Sequence, residues 1–298
     1  MAPPSPRPCC LQIFSLEKVV FPIQTIVIYP NPARDEGLAV TRRLLSLVIA
    51  HGLAPVLAAA HRPQLADFPQ IRFEENPFVA EAEAVFVLGG DGTLLGAVQA
   101  MAERYLPLIG INLGRVGFLT EVEPGDLETA VTRWLAGDYH VDRRAMLQVS
   151  AGGGTWHALN DAVVTRGAVP RMITLEISVN CQPLWRLGAD GLIAATPTGS
   201  TAYALAAGGP VVAPHMRGTL LVPTCAHALY ARPVLVPDNE PIVVRCLSGD
   251  ASLCIDGVHR LALHCDDVVE ITRSAHEVSF VRFGQEAFYA RVRAKLGG

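Results

Sequence analysis

Between Ala84 and Met101 the chain reads AVFVL, then GGDGT, then LLGAVQAM. Five apolar residues without alternation suit a strand covered on both faces. Leu94, Leu95, Val98 and Met101 then fall on one face of a helix. A strand entering a helix through a glycine turn is the building unit of a parallel α/β sheet. Thr25–Tyr29 (TIVIY) is an earlier β-branched strand, stopped by Pro30 and Pro32, and Leu106–Ile111 reads as the next one. Between them, Leu38–His51 carries Val40, Leu44, Leu47 and Val48 at helical spacing and ends at Gly52, a good helix stop.

After about Tyr139 the texture changes. Met146–Ser150, Ala162–Thr165, Ile173–Val179, Leu192–Thr196, Thr219–Val222, Ile242–Cys246, Ser252–Ile255 and Val268–Thr272 are short strand candidates with few helices between them. Such a succession predicts a β-rich second domain. Gln285–Leu296 returns to helical period, with Phe288, Val292 and Leu296 aligned. The expected organisation is therefore an N-terminal extension (1–22), an α/β domain (23–138), a β-rich domain (139–284) and a C-terminal helix (285–298) packing back on the first domain. The extension holds Pro3, Pro4, Pro6, Pro8 and Pro22, and Gln12, Ser15, Glu17 and Lys18 break its apolar stretch. That makes a poor signal peptide and reads as a loose segment.

Composition narrows the function classes. Of 298 residues 50% are hydrophobic and 17% charged, enough to bury a core and to exclude disorder over most of the length. The net charge of −4 gives no basic face for nucleic acid. A mean hydropathy of +0.32 raises the question of a membrane. The longest charge-free run, Gly191–Met216, contains four glycines and three prolines, which a spanning helix of about 20 apolar residues does not tolerate. A soluble protein is expected. Seven cysteines, an odd number without a C-x-x-C pair, fit reduced cytoplasmic thiols better than a disulfide framework or a zinc site.

Four segments hold residues suited to chemistry. In Gly89–Thr93 the glycines allow close backbone approach, and the helix start presents N–H groups to phosphate. Asp91 beside Gly92 is odd there, because phosphate repels a carboxylate. It makes sense as a proton acceptor for a hydroxyl or beside a bound cation, while a tight turn capped by an acid also explains it. The spacing is neither a Walker loop nor G-x-G-x-x-G. In Gly188–Gly209, Thr196, Thr198, Ser200, Thr201 and Tyr203 cluster as hydrogen-bonding and stacking groups. Asp190, a lone acid before a long uncharged stretch, calls for a partner that a ligand would supply. Asn160–Asp161 suits ribose hydroxyls or a ring amine and suits a β-turn equally. Asp256–Gly257 reads as a site or a hairpin turn alike.

Together these segments resemble a family. GGDGT, INLGRVGFL (Ile111–Leu119), Asn160–Asp161, DGLIAATPTGSTAY (Asp190–Tyr203), GGP (Gly208–Pro210), PTCAHALYARP (Pro223–Pro233) and Asp256–Gly257 match, in order, the motifs of the NAD kinases. The likeness runs from about Thr25 to the C-terminus. GGDGT alone is shared with lipid kinases, and a related turn occurs in phosphofructokinases; TPTGSTAY is far more specific. The resemblance implies a Rossmann-like α/β domain and a C-terminal β-sandwich with the site between them. It implies transfer of a phosphoryl group from ATP, with magnesium, to the adenosine ribose 2′-hydroxyl of NAD, giving NADP. Asp91 would accept the proton, with Gly92 beside it, and Asn160 and Asp161 would hold the adenosine. Arg171 stands where members place a basic or histidine contact. Asp190 would meet the nicotinamide riboside. Thr201, Ala202, Tyr203, Ala204, Leu205 and Ala206 would line the dinucleotide groove, with Thr198, Gly188 and Asp256 also contacting the ligand. A homodimer or homotetramer is implied.

The sequence departs from the family pattern at several of these positions. Asp161 stands where many members have Glu, Ala206 replaces a common Ser, and Val258 replaces a Gln of some members. Gly188 occupies the place of an Arg found in members restricted to oxidised NAD, which leaves room for NADH. With no lysine near the glycine turn, a cation and backbone N–H groups are expected to carry the phosphate charge, and no protein ligand for the metal is visible. Two other readings stay open: a lipid kinase sharing the glycine turn, and a non-catalytic NAD(P)-binding sensor.

Overall fold

A computed structural model describes residues 25–102, 104–114, 117–167, 171–228, 230–284 and 288–296. The expected N-terminal extension lies outside these residues. The first strands and helices are β1 (Thr25–Pro30), α1 (Ala39–Ala50), β2 (Ala54–Ala58), β3 (Arg72–Glu74), β4 (Val85–Gly89), α2 (Asp91–Ala100), β5 (Leu108–Asn112) and α3 (Leu127–Leu135). The strands pair in parallel in the order β5-β4-β1-β2-β3. Alternation decides the faces: Ile26, Ile28, Phe86 and Leu88 meet α1 and α3, while Val27, Val85 and Val87 meet α2. Phe86 and Trp134 of α3 pack edge to face with centroids 5.3 Å apart, a geometry that aromatic quadrupoles favour.

The second half is almost all strand: β6 (His140–Ala151), β7 (Gly154–Ala158), β8 (Asp161–Arg166), β9 (Ile173–Val179), β10 (Gln182–Ala189), β11 (Gly191–Ala195), β12 (Thr219–Thr224), β13 (Val234–Val236), β14 (Ile242–Ser248), β15 (Ala251–Ile255), β16 (His259–Leu263) and β17 (Val268–Arg282). The four-residue α4 (Tyr203–Ala206) interrupts them, and α5 (Phe288–Leu296) follows. One antiparallel sheet has the order β13-β12-β11-β8-β15-β16. It packs against β9, β10, β14 and β17, and the alternate residues Leu175, Ile177 and Val244 of one layer meet Val164, Leu192 and Leu253 of the other. The result is a β-sandwich. Among the described residues, no helix is long and apolar enough to cross a membrane.

The sequence pattern does not reveal how the halves join. Val268–Thr272 is only the start of β17, a 15-residue strand. Its N-terminal end pairs with β14, and its far end runs beside β5 at Phe280↔Leu108. The parallel sheet and one layer of the sandwich are thus a single 11-stranded sheet. Ser274–His276 falls where the β6–β17 register shifts, so a period-2 scan loses the strand there. Phe280 is fully buried with Val85, Leu108 and Met146 at the seam. Phe280→Ala is expected to lower stability by about 3–5 kcal/mol, read from urea unfolding; a loss under about 1 kcal/mol would show that the seam is not a unit of the core.

Candidate active site

The strand order places the first cleft. The chain moves outward from β1 to β2 and β3, and on the other side from β4 to β5, so neighbouring β1 and β4 mark a switch point. Ligands of open α/β sheets sit beyond the C-terminal strand ends at such a point. There the structure has a cleft of about 620 Å³ lined by Asn31, Arg34, Gly90, Asp91, Gly92, Thr93, Gly117 and Lys295. Asn31 donates to the Thr93 hydroxyl at 2.8 Å, tying the end of β1 to α2. A side chain at Gly89 would collide with Thr93, which fixes the tight entry to the helix.

Asp91 opens α2, and its carboxylate reaches across the cleft. Oδ2 accepts the Phe118 N–H at 2.8 Å, and Oδ1 accepts those of Leu119 and Thr120 at 3.1 and 3.3 Å. A Cβ at Gly117 would land on Asp91 Oδ1, so glycine there permits the approach. An ionised carboxylate has about four acceptor positions; three are used, and one on Oδ2 is left for a hydroxyl. The expectation that no lysine stands near the glycine turn, leaving the charge to a cation and backbone N–H groups, is corrected here. Arg34 lies between Gly90 and Gly114, and Lys295 arrives from α5, about two hundred positions away in sequence. Backbone N–H groups and two cationic side chains therefore face this cleft together.

A second cleft, about 630 Å³, is lined by Leu95, Asn160, Asp161, Val163, Ala202, Tyr203, Asp256 and Val258, among others. The Asn160–Asp161 turn is held from inside by Asp256. Its Oδ1 accepts Asn160 N–H and Asp161 N–H at 2.8 and 3.0 Å, and its Oδ2 accepts Leu159 N–H at 2.7 Å and Gln99 Nε2 at 2.8 Å. Four donors occupy its acceptor positions, so Asp256 anchors the turn rather than offering a free lone pair to a ligand. Thr196 N–H bonds the Asn160 carbonyl at 2.8 Å, and Gly199 packs directly on it. The TPTGST segment is thereby docked on the same turn.

Burial, and then the Asp256 charge, push the Asp161 carboxyl up to about 7. Burial also raises Asp256, against the N–H donors around it. Around neutrality Asp161 is thus poised between hydrogen-bond donor and acceptor.

The remaining expected residues divide. Ala202 and the half-exposed Tyr203 line the second cleft. Ala204 does not reach it: it is fully buried against Ile193 and Val222, because α4 turns that residue inward. The buried Thr198 hydroxyl meets Arg144 Nη1 at 3.4 Å, and Thr201 bonds the Thr198 carbonyl. Leu205 and Ala206, on the same short helix, are not among the residues lining the cleft. Arg171, Gly188 and Asp190 cluster at the β9–β10 end and line neither cleft. Asp190 has a protein partner, Arg166 Nε at 3.0 Å, so no ligand is needed to balance it. Met172 covers Gly188, and a Cβ there would meet its Cε at 3.0 Å. Sequence reasoning missed Asn31, Arg34, Gln99 and Lys295; the residue following β1 at a switch point was the one available signal.

Residues 60–139 match the ATP-NAD kinase N-terminal domain and residues 159–283 the ATP-NAD kinase C-terminal domain. An NAD kinase of Heliobacterium modesticaldum is 35% identical over 279 residues, covering 91% of this chain and 98% of that one. One of Moorella thermoacetica is 41% identical, covering 81% and 79%. Among solved structures, yeast NADH kinase complexed with NADH superposes with a TM-score of 0.87 at 23% identity, over 93% of this chain and 88% of that one. An NAD kinase from Archaeoglobus fulgidus in complex with ATP gives 0.72 at 25%, over 92% and 98%. The fold and the glycine-turn cleft define a nucleotide-dependent phosphotransferase. The chain belongs to the NAD kinase family, and its enzyme class is that of an ATP-dependent NAD kinase. The match through the second half separates it from lipid kinases that share only the turn.

The Asp161 shift has a pH signature. Below about pH 4 the carboxyl is protonated in folded and unfolded chains alike. Between there and about 7 only the folded chain keeps the proton, so stability falls as pH rises, and above about 7 the loss is complete. Asp161→Asn is expected to flatten the stability profile across that window, measured by thermal unfolding; an unchanged slope would assign the proton elsewhere.

Proposed function

We propose that the phosphates of ATP lie in the cleft of Gly90–Thr93, that the adenosine end of NAD lies at Asn160, Asp161 and Tyr203, and that Asp91 works where the two meet. One observation carries this reading: α2 lines both clefts. Asp91 and Gly92 face the first and Leu95, one turn later, faces the second, a rise of about 6 Å. Gln99, a further turn on, bonds Asp256 and the His157 carbonyl, fixing the dinucleotide turn relative to the helix that presents Asp91.

In the step so placed, the ribose 2′-oxygen forms a bond to the γ-phosphorus while the bond from that phosphorus to the β–γ bridging oxygen breaks. ADP leaves with the electron pair, and the hydroxyl proton passes to the open acceptor position of Asp91. Arg34 and Lys295 neutralise phosphate charge, and the Phe118–Thr120 N–H groups keep the carboxylate oriented. Most of the acceleration in such a transfer comes from positioning and charge stabilisation, with about 10²–10⁴-fold from the base. Asn160, Asp161 and Tyr203 bind, the ring of Tyr203 offering a stacking face to a base. Arg171, Gly188 and Asp190, with Thr198, Thr201, Ala204, Leu205 and Ala206, belong to the nicotinamide side of the same reading, while Ala202 lines the adenosine cleft beside Tyr203.

Magnesium enters with the nucleotide. Asp91 is the one carboxylate lining the phosphate cleft, and no cluster of three metal-ligating side chains occurs among the described residues. The chain thus fits an ion resting mainly on phosphate oxygens and water. When bound, that ion would offset charge developing on the transferred group. A homodimer or homotetramer in the cytoplasm is part of the proposal, the reducing compartment supported by five free cysteines among the described residues. So is a division near 138/139 with residues 285–298 returning to the first domain, supported by Arg291 of α5 donating to the Phe118 carbonyl.

The test is a coupled assay for NADP formation from NAD with ATP and magnesium, with NADH in parallel. Asp91→Asn is expected to lower kcat at least about a hundredfold while leaving NAD binding nearly unchanged. Retained turnover would place the base elsewhere. Tyr203→Ala is expected to raise KM for the dinucleotide, and a change confined to kcat would contradict its binding role. Product from NADH would support the reading that glycine rather than arginine at position 188 admits the reduced dinucleotide.

A further inference from the structure

Behind the loop that holds Asp91 lies a third cavity, about 220 Å³, which the reaction above does not use. Four arginines line it, Arg143 and Arg144 from β6, Arg282 from the end of β17 and Arg291 from α5, against two carboxylates, Asp142 and Glu121. Arg144 and Arg282 are each only 5% exposed. Asp142 is spent on Arg144, through Nε at 2.7 Å and Nη2 at 2.6 Å, and reaches Arg282 Nε at 3.3 Å. Glu121 accepts the N–H groups of Phe283 and Gly284 at 3.0 and 2.9 Å besides Arg282 Nη1 at 3.3 Å. Arg282 Nη2 is buried with no acceptor, and Arg143 forms no ion pair with a described residue. Burial, helped by Arg291 and Arg144, holds the Arg282 guanidinium below the usual arginine range despite Asp142 and Glu121. Positive charge is left over, and a buried donor waits for an acceptor.

Size and chemistry define what would complete the cavity. Its volume is on the order of seven waters at about 30 Å³ each, room for a diphosphate and too little for a nucleotide. Guanidinium groups bind phosphate oxygens with paired, charge-assisted hydrogen bonds. The cavity also touches the reaction through one loop. The peptide groups of Phe118 and Leu119 give their N–H to Asp91 and their carbonyls to Arg291 Nη1 at 2.9 Å and Arg282 Nη1 at 2.7 Å. An anion taking Arg282 Nη2 would leave the Nη1 bond intact and reduce repulsion among the arginines.

We propose that this cavity binds a small multivalent oxyanion of the pyrophosphate class, at a site distinct from the Gly90–Thr93 cleft, and that its occupancy firms the Phe118–Thr120 loop around Asp91. The test is titration calorimetry of the full chain with sodium pyrophosphate, paired with amide hydrogen exchange. Arg143→Ala and Arg282→Lys are expected to weaken binding about tenfold, Arg34→Ala to affect only binding in the Gly90–Thr93 cleft, and pyrophosphate to slow exchange of the 118–120 amides. Arg143 is exposed, so its variant folds whatever Arg282→Lys does. No binding at millimolar pyrophosphate overturns the proposal, as does binding lost in Arg34→Ala but kept in Arg143→Ala. Binding at the arginines with unchanged exchange overturns the coupling.

Discussion

A buried carboxylate with every acceptor position filled underlies the arrangement of this protein. Asp256 lies at the end of β15, draws three consecutive N–H groups of the β7–β8 turn onto itself and takes a fourth hydrogen bond from Gln99 of α2. It ties the sandwich to the α/β half at the point where the two must be in register for any ligand that spans them. Leaving such donors unpaired in the interior costs about 1–3 kcal/mol apiece, so the turn has little freedom to shift. The carboxylate also adds to the electrostatics of its neighbour: burial first, and then the Asp256 charge, push the Asp161 carboxyl up to about 7. A structural acid thereby adds to the shift of one that lines the second cleft.

At the other end of α2 the same device recurs with a different purpose. Asp91 also collects backbone N–H groups, but only three, from a loop that Gly117 lets come close. The difference between four donors and three is the difference between an anchor and a group that can still receive a proton. The loop is gripped from behind by Arg282 and Arg291 through its carbonyls. The orientation of Asp91 therefore depends on β17 and α5, the last elements of the chain. That dependence gives the C-terminal helix two tasks, supplying Lys295 to the glycine-turn cleft and Arg291 to the loop.

Local pattern made much of this legible. The Ala84–Met101 run predicts β4, the glycine turn and α2 within a residue or two, because burial on both faces and a 3.6-residue period leave direct marks in the order of residues. Most short strands of the second half were visible for the same reason, alternation against a shared core. Elements lacking a strong apolar signature were missed, such as the edge strands β3 and β16. Asp190 shows the opposite failure. It is isolated along the chain, yet Arg166 of β8 stands beside it because β8 pairs with β11, and no sequence window contains both. Ala204 lay in a motif whose neighbours face the cleft, but the single turn of α4 points it into the core.

By itself the sequence determined the two textures, the glycine turn with its acid and the set of motifs that marks the family, since each depends on residues close together in the chain. Only the tertiary structure decided that one strand, β17, fuses both halves into a single sheet. It also brought Arg34 and Lys295 to the glycine turn, and left Arg282 with a buried donor unmet. Those outcomes rest on contacts between segments more than fifty, and mostly more than a hundred, residues apart. Their geometry follows from strand order and burial, which local periodicity does not encode.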